Sequence, residues 1–132
     1  MPGTFGPQQQ NRIVRSYVAD VALAAGVAVI AGAAVNSVKL PTAANLQSLG
    51  ITLQACAAGD TVAVLEFGET KVVADAAFAR GALLMINAVT GKLAAIGAVA
   101  GTNYFVLALA LELAAAQNDE VTVLVNMSRA QG

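Results

Sequence analysis

The side chains able to do chemistry in this chain are few, and their spacing argues against catalysis. There is no histidine, which removes Ser-His-Asp and Cys-His nucleophilic arrangements and every histidine-based metal site. Cys56 is the single cysteine. It has no disulfide partner within the chain and no base beside it, and in its alanine-rich stretch it reads as a small buried residue. Asp60, Glu66, Glu69, Asp75, Glu112, Asp119 and Glu120 are the carboxylates from which an acid–base pair would have to come. Asp60 and Asp119 stand at turns ahead of β-branched runs, where a carboxylate caps nearby backbone N–H groups. Asp20 and Asp75 stand just ahead of other apparent turns and read the same way. Gly97-Ala98-Val99-Ala100-Gly101 has neither the Lys-Ser/Thr of a P-loop nor the spacing of a dinucleotide fingerprint. Glu66, Gly68, Glu69 and Lys71 read as a solvated loop. The expectation is a protein that is not an enzyme and takes no cofactor or metal.

The elements that hold these residues in place are written twice. Val18-Ala19-Asp20-Val21-Ala22-Leu23-Ala24-Ala25-Gly26 returns as Val73-Ala74-Asp75-Ala76-Ala77-Phe78-Ala79-Arg80-Gly81, identical at six of nine positions. Ile51-Thr52-Leu53-Gln54, an alanine-rich link, Asp60 and Val62-Ala63-Val64-Leu65 return as Leu109-Ala110-Leu111-Glu112, a second such link, Asp119 and Val121-Thr122-Val123-Leu124. The offset drifts from 55 (Val18 to Val73) to 58 (Ile51 to Leu109) to 59 (Val62 to Val121), so only small loop insertions separate the matched segments. Two repeats are too few for a solenoid, and 132 residues make one domain. The chain divides into a flexible N-terminal arm, residues 1–15, and a single domain, residues 16–132, whose halves span about 18–67 and 73–127.

Residues 107–116 pose a conflict between helix propensity and pattern. Leu, Ala and Glu favour helix, yet Leu107, Leu109, Leu111 and Leu113 alternate with Ala108, Ala110 and Glu112 at the period of a strand. The counterpart, Leu49, Ile51 and Leu53 against Gly50, Thr52 and Gln54, alternates too and carries residues a helix disfavours. Both copies are therefore read as strands. Each is followed by a polar turn and an antiparallel β-branched strand. Short apolar runs at 27–30 and 82–86 precede them, and residues 87–92 form a hairpin turn with Gly91 at positive φ. Residues 41–45 suggest one helical turn, with Pro41 at its start. The fold class is all-β: a small pseudo-duplicated β-barrel or β-sandwich.

Hydrophobic residues make up 58% of the chain, charged residues only 11%, and the net charge is -1. Mean hydropathy is +0.70. The longest uncharged stretches, between Asp20 and Lys39 and between Lys92 and Glu112, are interrupted by glycine, asparagine, serine or threonine, which argues against a membrane span. No basic stripe is present to meet phosphates, so nucleic acid is not an expected partner. So much apolar sequence with so little charge points to surface buried by assembly, and a homo-oligomer is expected. The N-terminus lacks the charged and apolar regions of a secretory signal, which points to synthesis in a cytoplasm.

The order of a polar arm, an Ala-x-Gly with its apolar run, Leu49-Gly50-Ile51-Thr52-Leu53-Gln54-Ala55, Gly59-Asp60 and Val62-Ala63-Val64, repeated as 109–116 and 121–124, resembles the small capsid decoration (cement, or head-stabilising) proteins of tailed bacteriophages. The resemblance covers about residues 13–127, with Ala108 in place of Gly50 and Asn118 in place of Gly59. It implies a β-rich structural protein on the capsid exterior of the virion, assembled in the host cytoplasm. It also implies a homotrimer, or in some members a dimer, that cements neighbouring major capsid protein subunits of an expanded head. An arm that orders against the shell is part of that implication. Its capsid-binding candidates here are Phe5, Ile13, Val14 and Tyr17 for apolar docking, Gln8, Gln9 and Gln10 for hydrogen bonding, and Arg12 and Arg15 for capsid acids. A chain starting near Ser16 is then expected to fold and oligomerise but not to bind heads. The alternatives are another self-assembling virion or shell protein, such as a head fibre base, and a small membrane-associated protein.

Overall fold

A computed structural model describes residues 12–87, 89–97 and 100–131, the last four by their backbone alone. Nine strands follow one another: β1 (Ile13–Ala19), β2 (Ala28–Ala31), β3 (Ser37–Lys39), β4 (Gly50–Thr52), β5 (Thr61–Val73), β6 (Leu83–Ile86), β7 (Leu93–Ala95), β8 (Asn103–Ala110) and β9 (Glu120–Gln131). Among the described residues there is no helix. Alternation at a period of two, seen most clearly in Val62 and Val64 of β5 and Val121, Val123 and Val125 of β9, turns one apolar row inward along each strand.

The strands β1, β3, β2, β4 and β5 pair in that order, and β1 also pairs with β5, so the first half closes into a five-stranded barrel. Of the two architectures open from the sequence, the barrel is the one formed. Closure removes the free sheet edge that an open sandwich would retain. β5 then runs on, pairs with β9 from Phe67 to Val73, and leads through β8 and β6 to β7. An isolated bridge from Ala74 to Leu93 brings this second ring back to its start. The 13-residue β5 is thus the last strand of one half and the first of the next. Glu66, Gly68, Glu69 and Lys71, read as a solvated loop between halves, lie within this strand. Glu69 and Lys71 are exposed at a period of two along this strand, while Glu66 is half-buried and Gly68 buried on its other face.

The duplication holds at the level of register. Val18↔Thr61 has its counterpart in Val73↔Glu120, Ala28↔Ile51 in Leu83↔Leu109, and Ala19↔Val38 in Ala74↔Leu93. The interior follows the same rule. Ala19, Leu23, Val29, Val38, Val62 and Val64 fill the first barrel. Ala74, Phe78, Leu84, Leu93, Val121 and Val123 occupy the equivalent places in the second. Burial of each larger side chain contributes about 1.5–3 kcal/mol.

The two halves are bound by more than β5. Ala28, Ile51 and Leu65 point outward from the first barrel, are fully buried, and belong to the core of the second half. Residues 26–28 form a seam, with the Val73 N–H donating to the Gly26 carbonyl (3.0 Å) and the Ala28 N–H to the Gly91 carbonyl (2.8 Å). Gly91 takes the positive φ expected of it, 80°. Residues 41–45 form bends, not the helical turn expected. Asn45, at φ 56°, instead uses its side-chain amide as a strand would: Nδ2 donates to the Asn103 carbonyl (2.9 Å) and Oδ1 accepts from the Phe105 N–H (3.0 Å). The ambiguous leucine-rich copy is a strand, but it starts at Asn103 and ends at Ala110. Residues 111–116 leave the ladder as their first-half equivalents do after Thr52, and Glu112 turns back to accept the Thr122 N–H (2.7 Å).

Candidate functional site

β1 carries the one cluster of candidate residues that the structure brings together. Phe5, Gln8, Gln9 and Gln10 lie outside the described residues. Arg12 is exposed, and its side chain lies close to Gly68, where no Cβ intervenes. Ile13, Val14, Arg15 and Tyr17 are strand residues paired to β5, so the last three residues of the segment read as an arm, 13–15, belong to the first barrel.

On its other edge β1 meets β3 only at Val18 and Ala19. Residues 13–17 therefore present an edge with no strand beside it among the described residues. Val14 and Val18 lie on the outer face, each 44% exposed, and Ile13, displaced by the bulge ahead of Val14, is 51% exposed. An unpaired edge bordered by exposed β-branched side chains is a template for strand addition.

Arg15 and Tyr17 face the other way, toward the mouth of the first barrel. The Tyr17 hydroxyl donates to Glu66 Oε2 (2.6 Å) and Arg15 Nε pairs with Glu66 Oε1 (2.9 Å). The hydrogen bond to Glu66 is the main reason the Tyr17 phenol is raised above its ordinary value. Partial burial and the Glu66 charge add to this, while Arg15 opposes them. Tyr17 is thus committed inside the barrel, which leaves apolar docking at this strand to Ile13, Val14 and Val18. Glu66 is the residue whose place the sequence reading missed, since it reads there as part of a solvated loop. In the second half its place is taken by Val125, and those of Tyr17 and Arg15 by Val72 and Thr70. A carboxylate in a slot that the repeat fills with valine was the available signal.

The four aspartates are bound up by hydrogen bonds at and around turns. Asp60 accepts the Ala57 N–H (3.1 Å), and Asp119 accepts those of Ala115 (2.9 Å) and Ala116 (3.1 Å). Asp20 accepts the Ala33 N–H (3.0 Å). Its equivalent Asp75 takes the side-chain amides of Asn87 (2.7 Å) and Gln117 (3.2 Å). The bond from the Thr122 backbone N–H holds the exposed Glu112 carboxyl below its ordinary value. Cys56 is half-buried and its backbone bridges Leu23, as Ala114 bridges Phe78. Among the described residues no three potential ligands come together as a metal site. A cleft of about 150 Å³ lies at the seam, lined in part by Gly26, Thr52, Lys71 and Glu120. Small-molecule sites begin at about 300 Å³.

The geometry is that of a double barrel in which β1 leaves an apolar-bordered edge open at residues 13–17. No curated protein matches the sequence. Among solved structures, the head fiber gp8.5 N base of bacteriophage phi29 superposes with a TM-score of 0.66, covering 92% of this chain and 100% of that one at 15% identity, which shows a shared fold. A family model described as phage cement protein matches residues 8–127. That span takes in both barrels and the strand they share, and the chain belongs to the phage cement protein family, a structural component of the virion.

Proposed function

We propose that this protein binds the outside of the expanded phage head and holds neighbouring major capsid protein subunits together, without catalysis or cofactor. The observation that carries the reading is the open edge of β1 with Ile13, Val14 and Val18 beside it, directly after the glutamine-rich N-terminal segment. A capsid strand added along this edge would gain main-chain hydrogen bonds, with the β-branched side chains supplying contact area. Phe5, Gln8, Gln9, Gln10, Arg12 and Arg15 extend that surface, and Arg15 brings its charge to capsid acids while tied to Glu66. Many copies on a symmetric lattice, as homo-oligomers with a trimer favoured over a dimer, add avidity to modest individual contacts.

The test is a variant beginning at Arg12, because a chain starting at Ser16 would strip three paired residues from β1 and confuse binding with folding. The Arg12 variant should keep its circular dichroism and thermal midpoint yet lose binding to expanded heads in a sedimentation assay. Undiminished binding would overturn the role of the arm. A second reading, the base of a head fibre, is favoured by the fold shared with the phi29 protein across its whole length. Electron microscopy of virions separates the two: compact density over capsid subunits supports cementing, and density beneath a projecting stalk supports a base.

A further inference from the structure

The outer face of the second half repeats a surface that the first half buries. Ala28, Ile30, Ile51, Leu53 and Leu65 of the first half all pack onto the core of the second. Their equivalents at the offsets of the duplication are Leu83, Met85, Leu109, Leu111 and Leu124, five apolar residues again. The register confirms that they adjoin. Leu83 pairs with Leu109 and Leu109 with Leu124 across β6, β8 and β9, as Ala28 pairs with Ile51 and Ile51 with Leu65. None of the five enters either core cluster. Leu83 is 41% exposed, where Ala28 is fully buried.

The molecule also shows what lies on the first-half row. The core of the second half covers most of it, and at its Ala28 end sits the turn between β6 and β7, with the Gly91 carbonyl bound to the Ala28 N–H and the Gly91 Cα packed where a Cβ would meet Ala28 and Val27. The equivalent turn in the first half lies between β2 and β3. Asn36 stands for Gly91 and shares its positive φ, 63° against 80°. At its tip is Val35, 90% exposed, the most exposed large apolar side chain described. We propose that the β2–β3 turn of a second copy of this chain seats on the Leu83–Leu109–Leu124 row, so that copies join head to tail through an intermolecular version of the contact between the halves.

The departures from exact repetition agree with a contact made by side chains. In the first half Pro41 stands where Ile96 stands in the second, and Pro41 has no N–H to offer the Ala28 strand. In the second half the Ile96 N–H donates to the Leu83 carbonyl (2.9 Å), so that carbonyl is already engaged. Apolar atoms are gained on both sides instead, Leu83 for Ala28 and Val35 for Thr90. Each copy offers one turn and one row, a heterologous pairing that closes into a ring when the rotation allows. This deepens the assembly part of the reading above and rests on it, while leaving head binding to β1.

Two single variants test it, Val35→Asp and Leu83→Asp, both at exposed positions where the monomer should stay folded. Light scattering of the unaltered chain should give an oligomer, and each variant should run as a monomer with an unchanged thermal midpoint. Mixed in equal amounts, the two should form a one-to-one dimer, because the intact turn of one meets the intact row of the other. An unaltered chain that is monomeric, or variants that keep the native mass, would overturn the interface. A mixture that stays monomeric would overturn the pairing of turn with row, and a Val35→Asp variant that keeps the native mass while Leu83→Asp is monomeric would replace the turn by a same-face contact. Sedimentation of each variant with expanded heads is read separately, so weakened assembly is not mistaken for failure of the capsid-binding reading.

Discussion

Gly50 has a φ of 150°, and a Cβ there would collide with the Leu65 carbonyl and the Val64 side chain. This explains a difference between the copies that looks arbitrary in sequence, since Ala108 fills the same place where β8 and β9 lie differently. Gly50→Ala should cost about 2–4 kcal/mol from steric and backbone strain combined, read as a lower urea midpoint at unchanged slope. The other exchange, Gly59 for Asn118, keeps the conformation and changes only the residue, with φ at 87° and 74°; asparagine is among the few side chains that tolerate it. Tyr17 supplies a pH test. Its raised folded-state value means that folding favours the neutral phenol. The stabilisation is therefore complete below the ordinary phenol value of 10.0 and is lost as pH rises through the folded value. Above pH 10 the thermal midpoint of the unaltered chain should fall more steeply than that of Tyr17→Phe; parallel curves would show that the Glu66 bond does not survive in solution.

At the scale of elements, β5 carries the architecture. Its first half completes one barrel with β1 and β4, and its second half begins the other with β9. The Ala74 N–H donates to Asp119, so the N–H groups of Val72 and Thr70, two and four residues earlier, face β9 as well. Thr70→Pro should remove one of these ladder bonds and cost about 1–3 kcal/mol for the carbonyl left unpaired. Both barrels should lose stability together, as a single shifted transition in circular dichroism and in fluorescence of a dye reporting on either half. β1 and β8 differ from β5 in having edges only partly used. β8 is covered at its start by the Asn45 amide, whereas residues 13–17 of β1 have no strand on their other edge among the described residues.

For the whole molecule, the shared strand, the seam at residues 26–28 and the burial of Ala28, Ile51 and Leu65 between halves predict one cooperative unit. Calorimetry should give equal calorimetric and van't Hoff enthalpies; two resolved transitions would show that the barrels are independent. The same burial explains why a chain with 58% hydrophobic residues is arranged as it is. The first half hides its outer face on the second, and the second is left with an equivalent face that a neighbouring copy can cover.

Local pattern alone determined β2, β4, β6 and β9, the duplication and the turn roles of Asp60 and Asp119, because alternation and turn chemistry act over a few residues. The absence of histidine limited the chemistry before any fold was known. The resemblance to capsid decoration proteins was likewise legible in the order of the repeated segments. What only the tertiary structure decided depends on residues far apart in the chain. The polar run from Glu66 to Lys71 continues a strand because β9 lies beside it. The Asn45 amide is drawn to β8, so residues 41–45 do not wind into a helix. Tyr17 turns inward because Glu66, 49 residues away, needs a partner in a slot built for valine. Barrel rather than sandwich was decided by β1 closing onto β5, a pairing whose register no local pattern encodes.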